Sequence, residues 1–131
     1  MLTQPQFARL YRASAWYDLI VTWPFALAPT LLAVMMLAGL ANDSLGFAPI
    51  PDLTSAGIMF GNFFGTVVLV WSVVRLQWND PVLARYDAFA RWMFSLAMII
   101  ALTNGASPIL LGVLIPELTF AVLQSLPVRR G

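Results

Sequence analysis

Cysteine, histidine and lysine are all missing from this chain of 131 residues. Their absence removes disulfides, thiol nucleophiles, Cys/His zinc sites and histidine-ligated haem. Charge is scarce as well: 10% of residues are charged and the net charge is +1, where a soluble domain carries roughly 25% charged residues. So small a net charge gives no basis for binding nucleic acid. Metal-ligand clusters, phosphate-binding loops, dinucleotide fingerprints and nucleophile–base signatures are also missing, so no metal and no cofactor is expected. Any catalysis would rest on Asp18, Glu117, Tyr17 and arginine. That is a thin basis for an enzyme.

What the chain has in excess is apolar side chain: 60% of residues are hydrophobic, with a mean hydropathy of +0.82. A soluble domain of this size leaves too much surface in water to hide them. A spanning helix needs about 20 mainly apolar residues, because a ~30 Å hydrocarbon core is crossed in 1.5 Å steps. Four segments qualify: about 15–40, 56–76, 86–102 and 109–126. The connectors are residues 41–55, 77–87 and 103–108, rich in turn-forming Asn, Asp, Gly and Pro. These features predict an all-α membrane protein, a single domain over 1–131. Its architecture is a four-transmembrane-helix bundle, with neighbours made antiparallel by short connectors. A cleaved signal peptide is not expected, since the first apolar run exceeds the 7–15 residues of a signal core.

All seven basic residues are arginine. Arg9 and Arg12 precede the first span, Arg75, Arg85 and Arg91 flank the middle connector, and Arg129 and Arg130 follow the last span. The other two connectors hold only Asp43 and Asp52. The positive-inside rule then puts both termini and the middle connector in the cytoplasm, and the expected site is a bacterial inner membrane.

Several features point to a working interior. Gly57, Gly61 and Gly65 recur every four residues in "GIMFGNFFG" (57–65) and present a bare helix face. It is read first as packing within the bundle, with a homodimer seam or a docking face for another membrane protein as the alternative. Pro24 and Pro29 should bend or break the first span. Trp16, Trp78 and Trp92 suit an interfacial belt; Trp23 and Trp71 should lie deeper and wall a cavity or find partners. Asp18 begins the first span with Thr22 one turn on, and Arg91 begins the third, so an Asp18–Arg91 or Asp18–Arg75 pair is within reach. Independent snorkelling of each arginine to the headgroups is the plainer expectation.

Glu117, in "GVLIPELTFAVLQ" (112–124), is the most exposed to question. It lies ~13 Å into its span, near the bilayer centre, and shares a face with Gln124. A central acid should face inward, neutral or hydrogen-bonded, with Asn62 and Thr66 of the second span, or Thr103 or Asn104 if the helices overlap, as expected partners.

Two architectural parallels bear on function. In span number and a single membrane Glu the plan resembles small multidrug resistance transporters, and in span number the DoxX-like group. Transporters of the former type carry their acid in the first span and balance their loop charges, so the resemblance implies a transport alternative and carries no residue over. The leading expectation is a non-enzymatic accessory subunit, or a binder of a small apolar ligand with a polar pocket around Glu117. The alternatives are a proton-coupled transporter using Glu117, and a membrane isomerase or hydratase using Asp18 and Glu117. For the orientation, a reporter active only outside the cytoplasm should be silent when fused after residue 131 and active in the 41–55 connector; the opposite pattern contradicts it.

Overall fold

The structure, a computed structural model, describes residues 1–129; Arg130, one of the arginines used for orientation, lies outside them. Among the described residues there are five α-helices: α1 (Gln4–Thr22), α2 (Ala28–Ser44), α3 (Ser55–Gln77), α4 (Pro81–Thr103) and α5 (Leu111–Ser125). Two-residue strands β1 (Leu2–Thr3) and β2 (Val128–Arg129) flank them. Local chemistry sets the starts. Thr3 and Gln6 form a reciprocal capping box on α1, Thr54 accepts from Gly57 N at the head of α3, and Asp80 accepts from Val82 N ahead of Pro81 in α4.

The apolar run 15–40 is not one helix. α1 stops at Thr22, Trp23–Ala26 form a 3-10 turn, Leu27 is extended, and the α1 and α2 arms differ in direction by 108°. Pro24 and Pro29 cause this by removing backbone donors and crowding the preceding turn. Carbonyls at the break accept from side chains, and Leu27 O also takes the Leu31 N–H at 2.9 Å. Thr30 Oγ1 donates to Pro24 O and, at 3.0 Å, to Leu27 O, while Asn62 Nδ2 of α3 donates to Phe25 O at 3.0 Å. Asn62 therefore serves the break and not Glu117.

Opposite this break stand two of the α3 glycines. A Cβ at Gly61 would come within 2.7 Å of Leu31 Cδ2, and one at Gly65 would collide with the backbone of Phe25 and Ala26. The Gly61 and Gly65 positions, read first as packing within the bundle, are covered by this chain's own broken segment, so the alternative of a seam for a second chain has no bare face there. Gly57 sits against Leu53, with an ordinary 3.4 Å clearance.

The ends of the molecule are tied separately. β1 pairs in parallel with β2, Leu2 opposite Val128. Arg85 near the start of α4 donates to Gln124 O at 2.7 Å and Leu126 O at 3.1 Å, capping α5. The first residues, the 78–80 connector and the end of α5 therefore meet at one end. At the other, buried Asn42 of α2 donates to Ala48 O at 2.9 Å and accepts from Ser107 Oγ.

Between those ends, α4 packs along α5 and α1 along α3. Polar and charged side chains make up half of the buried residues. Ser14, Asp18, Ser72, Arg75, Asp87, Arg91, Ser95 and Gln124 are buried, whereas Leu, Ile, Phe and Val side chains crowd the exterior. That is the reverse of a water-soluble fold and matches one whose solvent is lipid. By length and composition α3 and residues Pro108–Ser125 can each cross a membrane, with the α1–α2 pair a third, broken candidate. The third expected span, 86–102, falls within α4 but is not among them, because Asp87 and Arg91 stand in its N-terminal half.

Close approach at α3 predicts a graded response. Gly65→Ala should lower stability by about 1–3 kcal/mol, because the obstructing atoms are backbone; Gly61→Ala should cost less, since a leucine tip can move. Thermal unfolding in mild detergent measures both, and equal effects would contradict the packing.

Candidate functional site

Each inward stripe follows helical spacing. On α1 it runs Phe7, Tyr11, Ser14, Asp18; on α3 Gly65, Val68, Ser72, Arg75; on α4 Ala84, Asp87, Arg91, Ser95. Steps of three and four residues keep each series on one face. α5 adds Leu114, Glu117, Ala121 and Gln124 at the same steps. Where the four stripes meet, five ionisable groups gather.

Arg91 is the hub, 1% exposed. Its Nη2 donates to Asp18 Oδ2 at 2.6 Å, its Nε to Asp87 Oδ2 at 3.0 Å and its Nη1 to Glu117 Oε2 at 2.9 Å. Arg75, fully buried, pairs with the same Asp18 Oδ2 and sets Nη1 2.7 Å from Asp87 Oδ2. Ser14 and Ser72 hydroxyls lie 3.4 and 3.3 Å from the Arg75 guanidinium nitrogens. Trp71 Nε1 donates to Asp87 Oδ1 at 2.9 Å. The arginines also lie near aromatic rings, Arg91 being 5.0 Å from the centre of Phe120 and Arg75 5.8 Å from that of Tyr11. Buried charges are tolerable only when paired and hydrogen-bonded; Arg91 meets both conditions, and Arg75 is paired with two carboxylates while its Nε is left without a partner.

The expected residues sort clearly. Asp18, Arg91, Glu117 and Trp71 come together. Asn62 belongs to the helix break, Thr66 is exposed, and Trp23 is 49% exposed on the outside. Gln124 is fully buried but donates to Ser14 Oγ at 3.0 Å, one layer from Glu117. Two expectations are corrected. Arg75 and Arg91 do not snorkel; both turn inward, because three carboxylates offer them more than the headgroups do. Glu117 is met by Arg91 rather than by Asn62 or Thr66. Sequence reasoning missed Asp87, although its position one turn before Arg91 is the spacing of a helical ion pair.

Against this cluster lies a cavity of about 260 Å³. Asp18, Asp87, Arg91 and Glu117 form its polar side, and Phe64, Val67, Val68, Trp71, Ala90 and Phe94 its apolar walls. A few polar groups converging in an apolar hollow is the usual make-up of a small-molecule site. A wider depression of about 530 Å³ near the chain ends is lined by Gln4, Tyr11, Asn79 and Arg85 among others; among the described residues it holds no carboxylate and none of the cluster. Among the described residues the acids do not form a metal-binding group. No family model matches the chain, and neither a curated protein nor a solved structure matches it.

The contact pattern predicts a strong asymmetry between two substitutions. Arg91→Met leaves three acids without their shared partner and should cost about 3–5 kcal/mol. Glu117→Gln keeps an acceptor for Arg91 and should cost no more than about 1.5 kcal/mol. Thermal unfolding in detergent compares them; similar losses would mean that Arg91 does not organise the cluster.

Proposed function

We propose that this is a small integral protein of the bacterial inner membrane that crosses four times, with both termini cytoplasmic, and binds a small, largely apolar ligand without transforming it. Four crossings require α4 to span despite Asp87 and Arg91. Their withdrawal into a paired cluster removes most of the cost of placing charge in hydrocarbon. The arginine asymmetry and the meeting of both chain ends beside the 78–80 connector support the orientation. Lipid is the first partner, lying against the apolar exterior. A further copy or a partner subunit would dock away from Gly61 and Gly65, which are already covered.

The observation that carries the binding reading is the cavity itself. Its aromatic and aliphatic walls are suited to an apolar body, and its acids to a single polar head. A second reading, proton-coupled transport through Glu117, is favoured by that residue's position. Its side chain, 13% exposed against 9% and 4% for Asp18 and Asp87, is the most accessible of the three acids and holds one ion pair.

Ala90 lines the cavity, so Ala90→Phe should fill it while leaving the ion cluster in place. Protein purified in mild detergent should carry a small molecule, detected by mass spectrometry, that Ala90→Phe loses at unchanged helical content. Retention of that molecule by the variant would contradict the assignment, and proton-linked flux in liposomes that Glu117→Gln abolishes would favour transport.

A further inference from the structure

The cluster does not balance. Three carboxylates (Asp18, Asp87 and Glu117) face two guanidinium groups (Arg75 and Arg91), leaving one negative charge in excess among nearly buried groups. An uncompensated charge in so apolar a setting is costly, so a positive charge belongs with the cluster. Where it would sit follows from the oxygens already in use. Both oxygens of Asp87 are engaged: Trp71 takes Oδ1, and both arginines take Oδ2. Asp18 and Glu117 use Oδ2 and Oε2 for the arginines, so that among the described residues Asp18 Oδ1 and Glu117 Oε1 receive no hydrogen bond. Both residues line the cavity, as do the rings of Phe64, Trp71 and Phe94.

Two free oxygens are too few for a divalent ion such as calcium or magnesium, which takes six or more. A proton alone would satisfy one oxygen and would not use the cavity. An ammonium group fits better on three counts: it donates to both oxygens, it supplies the lacking charge, and aromatic faces attract it. We infer that the ligand of this cavity is an organic monocation, an amine with a compact apolar body, whose ammonium sits between Asp18 and Glu117. The inference rests on the ligand-binding reading above and names the ligand's charge.

Three probes of similar size and different charge test it: phenethylammonium, phenethyl alcohol and phenylacetate, titrated calorimetrically into the protein in zwitterionic-lipid nanodiscs. The ammonium should bind about 10-fold or more tightly than the alcohol, as a charge-assisted contact exceeds a neutral one by about 1.4 kcal/mol, and phenylacetate should bind weakest. Glu117→Gln equalises acids and arginines, so the ammonium and the alcohol should then bind alike. Equal binding of the two by the unaltered protein would overturn the charge inference and leave the ligand site standing; that ranking needs no variant to fold. Failure of all three probes to bind would overturn both.

Discussion

One guanidinium touches acids from three helices. Arg91 of α4 meets Asp18 of α1, Asp87 of its own helix and Glu117 of α5, and Arg75 brings in α3 through the same Asp18 and Asp87. In a water-soluble protein such a cluster would add little, since the hydration each charge gives up offsets the attraction it gains. In lipid there is almost no hydrophobic force between helices, and a charge left facing the hydrocarbon is far worse than one paired inside. The ionic centre is therefore what specifies which helix faces which. Serines at 14, 72 and 95 and glutamine at 124 continue that polar seam along the interior.

The second constraint is the break after Thr22. It turns the chain by 108° and lays Phe25 and Ala26 against Gly65. The two features depend on each other. A side chain at 65 would push the turn away, and without Asn62 the carbonyl of Phe25 would lose its donor. The cavity lies on the same side of α3 as the next turns down, where Val68 and Trp71 follow Gly65. Phe64 of its wall packs edge-on against Phe25 of the broken segment at 6.2 Å between ring centres, and its polar side belongs to the ion cluster.

Much of this was legible in the residues, and the rest was hidden for identifiable reasons. Apolar run lengths show the helices, and Pro24 and Pro29 show where the first of them breaks, because proline's effect is local. The glycine spacing shows a close contact, but a repeat on one helix carries no information about its partner, which proved to be the broken segment. Asp18, Glu117 and Arg91 stood out as charges within apolar runs. Their pairing did not, since Glu117 is 26 residues from Arg91 and Asp18 is 73 residues from it. Distance from a span end gives a depth and no neighbour, so it does not show that Glu117 meets Arg91 while Asn62 is taken by Phe25 O. Asp87 was overlooked because it lies where the connector was expected, and α4 begins earlier, at Pro81.

The central claim is that Asp18 and Arg91 are energetically coupled inside the protein and not merely near each other. A double-mutant cycle measures that coupling directly: Asp18→Asn, Arg91→Gln and the pair, each followed by thermal unfolding in the same mild detergent. The cluster predicts non-additive losses, with a coupling of about 1–3 kcal/mol, because the second substitution removes a contact the first has already broken. Losses that add to within about 0.5 kcal/mol would show two independent side chains and contradict the account.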